Sequence, residues 1–352
     1  MTFTRGARIT GVVLCAALAV VVTAWIVRDL RVTNGPLALW WHWADPGAAA
    51  VAPPPVTTPA DLVLLAVYAV VAVTAGRSAV AASAIFATGL LTVAVRLPQL
   101  WVLGSSWTDG RVPDGLRTRA LYCAVGALGA GVLLLVTAAA GRRAPGAAYG
   151  RTPTRPTQGV SVAAFLLLGS AAGVWAAWEV HWGLRLGLRA YLDRLTGESA
   201  LMPLLGTPPG WLNVVTVLLC LVAAVGALFH TPFSRPLGMT AAALLLGAGV
   251  PALATALRYD RLTHLGALPA VELLTLVSLL LGLCAGCGAL AALAREGEEE
   301  TPGARPPGAA WGRPERYGDP YGYGQGYGHP AGGGGSGGGF APPPSSGPPP
   351  RR

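Results

Sequence analysis

Apolar residues in this chain are grouped into long blocks, and polar residues are gathered in the segments between them. Eight blocks rich in Ala, Val, Leu and Gly span residues 9–27, 62–76, 79–95, 120–141, 160–180, 211–229, 239–257 and 273–294. A helix needs about 20 mostly apolar residues to cross the hydrocarbon core of a bilayer, which is ~30 Å thick. The pattern therefore predicts an all-α, polytopic integral membrane helix bundle with about eight transmembrane helices.

The first three blocks decide this count. The second and third are short and are separated only by Gly76, Arg77 and Ser78. Because one continuous helix over both would be too long for a bilayer, a tight turn with Arg77 at the headgroups is predicted. Without that turn the count falls to seven or fewer. The first block follows Arg5 and Arg8 and is longer than the apolar core of a typical signal peptide, so we interpret it as an anchor.

The composition agrees with a membrane protein. Hydrophobic residues make up 53% of the 352 residues and charged residues only 12%, whereas soluble domains carry about 25% charged residues. The net charge is +9, and all 25 basic residues are Arg. In a membrane protein such an excess belongs to cytoplasmic loops, so no nucleic-acid partner is predicted. Abundant Arg, Gly and Pro without Lys is typical of a high-GC genome, which favours a bacterial plasma membrane.

Charge is distributed unevenly between the two sets of loops. If the N-terminus is inside, the short inner segments before the tail carry Arg and no carboxylate. These arginines are Arg5, Arg8, Arg77, Arg142, Arg143, Arg151, Arg155 and Arg235. The longer outer segments hold the carboxylates, and ten of the eleven Trp lie close to the same face, which indicates a Trp-rich outer cap. The positive-inside rule therefore predicts a cytoplasmic N-terminus and a cytoplasmic C-terminus.

The chain is predicted to repeat itself as two parallel four-helix units. Trp25 and Trp178 lie near the ends of the first and fifth blocks, and each is followed by a long outer loop with a proline cluster. The ends of the third and seventh blocks match at Arg96 and Arg258. Four spans return the chain to its starting side, so a duplication of this kind is parallel, as in several transporter families.

The predicted organisation has four parts. Residues 1–141 form the first membrane unit, 142–159 a cytoplasmic linker, 160–294 the second unit, and 295–352 a disordered, low-complexity tail rich in Gly, Pro and Tyr. Residues 184–195 have the pattern of an amphipathic helix on the outer surface. Small residues at helical spacing predict close helix packing. They are Gly126 with Ala130, Gly169 with Gly173, and Gly282 with Gly286.

Ionisable residues are absent from the middle of the blocks. Arg77, Glu179, Arg258 and Glu272 all lie at block ends, which argues against ion-coupled transport. The pair Cys284 and Cys287 lies in an apolar block without the setting of a redox motif, so it is interpreted as packing. No acid, base, nucleophile or metal-ligand set is recognisable. The chain is therefore predicted not to be an enzyme and to carry no metal or cofactor.

A candidate ligand or partner surface is predicted on the outer face. It comprises Trp41, His42, Trp43, Asp45, His181, Arg258 and Asp260. In addition, Pro251 interrupts the seventh block after Gly247 and Gly249, and a helix break is predicted there because proline removes a backbone hydrogen bond. Broken helices at membrane depth are common at transport sites.

The run from Leu39 to Pro46 resembles the Trp-rich signature of haem-handling cytochrome c assembly proteins. That family displays Trp-Asp-Pro on the outer face and ligates haem with His from flanking outer loops, so the resemblance implies His181 and His264 as ligands. Here Ala44 stands between the Trp and the Asp, and both histidines follow the motif rather than flank it. For that reason no cofactor is predicted.

Two functions remain open from the sequence. The preferred hypothesis is a non-enzymatic scaffold or assembly factor whose tail and outer loops contact a protein partner. The alternative is a transporter or flippase-like carrier of a neutral or lipidic small molecule, which uses the repeat interface and the break at Pro251. A polar, water-accessible cavity at mid-membrane between the halves favours the carrier, whereas tightly packed spans with a groove on the outer face favour the scaffold.

Overall fold

The computed structural model describes residues 2–45, 55–76, 78, 80–105, 113–143, 154–155, 157–198, 202–295 and 298–299. The chain divides into Met1–Pro302, which contains every described residue, and Gly303–Arg352. The predictions for Arg77, for most of the linker and for nearly all of the tail therefore lie outside the described residues.

Helices make up almost all of the regular structure in these ranges. They are α1 (Arg5–Val32), α2 (Pro36–Ala44), α3 (Pro59–Thr74), α4 (Ala81–Gly104), α5 (Asp114–Ala140), α6 (Gln158–Thr196), α7 (Pro209–Leu228), α8 (Ser234–Arg258) and α9 (Ala270–Ala294), with a 3₁₀ turn at Leu265–Ala267. Two antiparallel pairs of two-residue strands accompany them: β1 (Thr2–Phe3) with β2 (Arg142–Arg143), and β3 (Thr154–Arg155) with β4 (Glu298–Glu299). The all-α prediction is confirmed.

Seven of the described helices, α1 and α4 to α9, are long and apolar enough to cross a membrane. The chain is thus a multi-pass membrane protein. Helix α3 is apolar but has 16 residues, a length of about 24 Å at 1.5 Å per residue. This is shorter than the ~30 Å hydrocarbon core, so length alone does not make α3 a crossing.

The helices begin where the sequence offers caps. Thr4 and Thr157 precede α1 and α6, and their side chains accept hydrogen bonds from the backbone N–H groups of Ala7 (3.3 Å) and Val160 (3.4 Å). Helices α3 and α7 instead begin with proline, which lacks the N–H that a first helical turn leaves unpaired. These caps place the helix starts a few residues ahead of the apolar blocks.

Successive long helices alternate in direction. At one end of the bundle, the terminal end, Thr4 N donates to Gly141 O (3.1 Å), Arg8 Nη1 to Ser78 O (3.0 Å) and Arg235 Nε to Leu293 O (2.6 Å). The opposite end, the α2 end, holds α2 and the segments 55–58 and 202–208. As a result, the start of α1 and the end of α9 lie at the same end of the bundle.

The same helix pairs are in contact in both halves of the chain. In the first half α1 packs on α3 and α5, and α4 packs on α3 and α5. In the second half α6 packs on α7 and α9, and α8 packs on α7 and α9. The halves meet where α3 and α4 contact α7 and α8.

Glycines allow close crossings at the centre of each half. A Cβ atom added to Gly89 of α4 would lie 2.8 Å from the Gly131 carbonyl oxygen of α5, and one added to Gly286 of α9 would lie 3.1 Å from the Ala242 carbonyl oxygen of α8. Packing is therefore confirmed for Gly286. The prediction of close packing is wrong for Gly126 and Gly173, because a Cβ atom added at either position would have no other atom within 4 Å.

Replacing Gly89 with Ala is expected to lower the free energy of unfolding by about 1–3 kcal/mol, because a backbone carbonyl cannot move aside as a flexible side chain can. Gly126→Ala is the matched control on the neighbouring helix. It is expected to be neutral or stabilising by about 1 kcal/mol, since alanine favours helix. Unfolding in mixed micelles measures both. Equal effects at the two positions would contradict this account of the crossing.

Helix α6 folds back on itself after Gly187. The backbone of Gly187 has φ 76° and ψ 164°, a conformation that glycine adopts far more readily than other residues. Arg194 Nη1 then lies 2.7 Å from Glu179 Oε2, although these residues would be about 22 Å apart on a straight helix. Leu188 and Leu192 are exposed on the returning segment.

Candidate functional site

A cavity of about 290 Å³ lies where the two halves meet, toward the α2 end. We call it the interface cavity. It is lined by Trp43, Ala44, Thr58, Pro59, Ala60, Val63, Trp175, Thr207, Leu212, Asn213, Thr216, Leu244, Leu245, Gly247, Ala248, Pro251 and Ala252. These residues come from α2, α3, α6, α7, α8 and the segments before α3 and α7. Its volume is near the lower end of the range for small-molecule sites.

Helix α8 contributes a face of small residues around the predicted break. Gly247 permits the close approach of α3, because a Cβ there would lie 2.6 Å from Val63 Cγ2. Ala248 and Ala252, one turn apart, leave space beside Pro251. Pro251 lies inside α8 and lacks the N–H that would reach the Gly247 carbonyl oxygen.

A second internal proline, Pro98 in α4, shows how this fold satisfies such a carbonyl. Trp211 Nε1 donates to the Ala94 carbonyl oxygen (2.7 Å), which Pro98 leaves unpaired, and Thr207 Oγ1 donates to the Val95 carbonyl oxygen (3.1 Å). At Pro251, no side chain among the described residues donates to the Gly247 carbonyl oxygen. The two prolines therefore differ, because only the first has its carbonyl covered.

The interface cavity has a neutral wall with a few polar groups. Among the described residues that line it, none is charged. Asn213 is held by a neighbouring cluster: its Nδ2 donates to Glu179 Oε1 (2.9 Å), and Glu179 also accepts from Arg194 and from the Tyr191 hydroxyl (3.2 Å). This cluster fixes the orientation of the amide at the cavity wall.

A buried ion pair lies beside this cavity, within the helices of the first half. Arg96 Nη2 is 2.6 Å from Asp61 Oδ1, and the two side chains are only 4% and 1% exposed. The third apolar block ends at Val95, and Arg96 was predicted to lie at the end of its span. That prediction is wrong, because α4 continues through Pro98 to Gly104 and so encloses Arg96 about two turns from its end.

Asp61 also caps α3. Its Oδ2 accepts from Thr58 N (2.7 Å), which is the carboxylate half of a capping box, and also from Thr58 Oγ1 (3.0 Å). Since Thr58 lines the interface cavity, the ion pair supports the cavity wall through this residue. Next to the pair, Gln99 is fully buried and donates to the Leu205 carbonyl oxygen (2.7 Å).

A second buried carboxylate, Asp29, holds the segment before α3. Its Oδ2 accepts from Val56 N (2.8 Å), Thr57 N (2.7 Å) and Thr57 Oγ1 (2.7 Å). The side chain is fully buried and is paired with Arg28 at 2.6 Å. Asp29 thereby ties the end of α1 to the start of α3, which carries one wall of the interface cavity.

The structure brings only part of the predicted surface together. The Arg258 guanidinium lies 4.3 Å from the centre of the Trp41 ring, and the Tyr259 hydroxyl donates to Asp45, so α2 docks on the end of α8. Trp43 lines the interface cavity. His42, on the same short helix, has its pKa lowered by burial against the opposing effect of Asp29.

The remaining predicted residues make contacts of their own. His181 packs edge-on between Trp178 and Trp182 on α6. Asp260 directly follows Tyr259 and adopts a left-handed backbone conformation, and its carbonyl oxygen accepts from Thr263. A single surface that includes all seven residues stays a prediction.

Asn213, Thr216 and the ion pair were not predicted from the sequence. An asparagine inside an otherwise apolar block is a recognisable signal, since polar groups in a membrane helix usually face the bundle interior. Within the described ranges, no three His, Cys, Asp or Glu side chains are grouped as a metal site requires. In comparisons with known proteins, the chain matches no protein family, no curated protein and no solved structure.

Proposed function

We propose that this protein carries a neutral small molecule across the bacterial plasma membrane and binds it in the interface cavity. The observation that supports this proposal is the position of the cavity, between the two halves and beside Pro251, which lies inside α8. Several transporters built from repeats bind their substrates at the repeat interface.

The proposal includes an internal repeat of four helices. Positions 4 and 157, 25 and 178, and 98 and 251 are each 153 residues apart. They hold the Thr caps of α1 and α6, a Trp, and the internal prolines of α4 and α8. The match of helix contacts in the two halves supports the same register. This register replaces the pairing of Arg96 with Arg258, which lie at different depths of α4 and α8.

The two internal prolines are followed by side chains of different size. Gln99 follows Pro98 and is fully buried, whereas Ala252 follows Pro251 and lines the interface cavity. The small side chain of Ala252 therefore leaves space in the cavity.

The lining favours a neutral and small occupant. Placing an ion against a wall without charged side chains would carry a large desolvation cost. The volume of about 290 Å³ also suits a small molecule better than an entire two-chain lipid. Of the predicted substrates, we therefore favour the neutral small molecule over the lipid.

We further propose eight crossings with both termini in the cytoplasm. The start of α1 and the end of α9 lie at the same end of the bundle, which requires an even number of passes and so includes α3. Arg5, Arg8 and Arg235 lie at this terminal end, and the positive-inside rule places it in the cytoplasm.

Ala252→Phe is expected to reduce binding of the native small molecule about tenfold to a hundredfold. The added ring occupies part of the cavity, and the crowding lowers the binding free energy by about 1–3 kcal/mol. Val250→Phe is the matched control, since Val250 is 42% exposed and does not line the cavity. Both variants and the parent are purified from native membranes in nanodiscs, and the small molecules that remain bound are compared by mass spectrometry.

A molecule retained by the parent and by Val250→Phe, but lost from Ala252→Phe, supports the carrier. Equal retention by all three would contradict it. If no small molecule is retained and crosslinking instead captures a protein that depends on residues 295–352, the scaffold hypothesis is the better one.

A further inference from the structure

We infer that the interface cavity selects a neutral molecule that donates hydrogen bonds, such as an alcohol or a carboxamide, over an ether or ketone of the same size. This inference rests on the proposed function, since it specifies what the cavity binds. It follows from which hydrogen-bonding atoms of the wall are already engaged and which remain available.

The hydroxyl hydrogens of the three threonines at the wall are already engaged in hydrogen bonds within the protein. Thr58 Oγ1 donates to Asp61 Oδ2 (3.0 Å), and Thr207 Oγ1 donates to the Val95 carbonyl oxygen (3.1 Å). Thr216 Oγ1 donates to the Leu212 carbonyl oxygen (2.8 Å). A hydroxyl has one hydrogen and two lone pairs, so each of these oxygens can only accept a hydrogen bond from a ligand.

Asn213 presents its oxygen in the same way. Glu179, bound by Arg194, is an acceptor, so the atom of Asn213 that faces it must be Nδ2. The amide oxygen Oδ1 is then directed away from Glu179. One hydrogen of Nδ2 also remains, and it is the single donor left among the threonine and asparagine side chains that line the described wall.

The two indoles at the wall do not add donors. Trp43 Nε1 and Trp175 Nε1 are both buried without a hydrogen-bond partner, so neither N–H is exposed at the cavity surface. Trp175 Nε1 lies 3.4 Å from the position that a Cβ on Gly282 would occupy, which places it against α9 instead.

Pro251 supplies a further acceptor. It cannot donate to the Gly247 carbonyl oxygen, and Gly247 itself lines the cavity. The wall thus offers several oxygen acceptors and few donors. A ligand that only accepts hydrogen bonds would displace water from these wall oxygens and leave the oxygens without a donor. A ligand that donates hydrogen bonds would pair with the oxygens in place of the water.

Benzyl alcohol and anisole test this inference, because they are isomers of one formula and only the alcohol donates a hydrogen bond. Binding of each is measured by ligand-detected NMR on the full chain in nanodiscs, at matched free aqueous concentrations. Signal from nanodiscs that hold Ala252→Phe is subtracted, which removes partition into lipid. We expect the alcohol to bind about tenfold more tightly than anisole.

Thr216→Val is the matched variant, because it keeps the side-chain volume and removes one acceptor. It is expected to weaken benzyl alcohol several-fold and to leave anisole unchanged, and its melting temperature shows that the fold is retained. Equal affinities for the two isomers, or tighter binding of anisole, would overturn the donor preference while leaving the cavity as a binding site. Binding of neither isomer would overturn the inference together with the proposed function.

Discussion

Replacing Asp61 with Leu is expected to lower the free energy of unfolding by about 3–5 kcal/mol. The carboxylate is the partner of Arg96 at 2.6 Å, and both side chains are almost completely buried. Removing it leaves a guanidinium group enclosed by α3 and α4 without a counter-charge. The substitution also removes the acceptor of the Thr58 cap, which adds about 1 kcal/mol.

The double variant Asp61→Leu with Arg96→Met separates these two contributions. Because both charges are then absent, most of the loss is expected to be recovered, and a remainder of about 1 kcal/mol reports the lost cap. Unfolding of the parent, both single variants and the double variant in mixed micelles completes the cycle. If the double variant is as unstable as the sum of the two single variants, the ion pair is not the source of the effect.

Replacing Asp29 with Leu is expected to cost about 2–6 kcal/mol, because it leaves the backbone N–H groups of Val56 and Thr57 buried without an acceptor, at about 1–3 kcal/mol each. The segment before α3 then loses its attachment to α1. Hydrogen exchange of the peptide that contains residues 55–58 is expected to accelerate more than exchange of the peptides from α5 or α9.

Asp29→Asn is the control for charge. Its amide oxygen can still accept from one or both backbone N–H groups, so the loss of stability and the gain in exchange are expected to be smaller than for Asp29→Leu. An equal effect of the two substitutions would show that the charge, through its pairing with Arg28, matters more than the hydrogen bonds.

These carboxylates have a consequence for the interface cavity. Asp29 and Asp61 hold residues 56–61, and Thr58, Pro59 and Ala60 within that stretch line the cavity. The polar groups of the first half thus support one wall of a site whose other walls come from α2 and from the second half. Ligand binding should therefore weaken in both carboxylate variants under conditions where they remain folded.

A break was predicted at Pro251, but α8 continues through it to Arg258. The amino-acid sequence was nevertheless sufficient to predict the helical class, the long apolar helices and the missing N–H at Pro251. These features depend on composition and on local chemistry: apolar length determines a crossing, and proline lacks an N–H wherever it stands. Arg96 was predicted to lie at the end of a span because it borders an apolar block, and Asp61 directly precedes another such block. Their burial depends instead on α4 passing through Pro98, and Trp211 and Thr207 of the second half make this passage favourable.

Only the tertiary structure decided which residues form the candidate site. Asn213 and Ala252 come from α7 and α8, and Thr58 precedes α3. No spacing along the chain relates them, because their proximity results from the packing of α8 against α3 and α7. The interface cavity likewise depends on the small volume of the Ala252 side chain. An empty space of this kind cannot be recognised from the sequence, because it depends on how the surrounding helices pack. Docking of Trp41 on Arg258 also follows from helix packing.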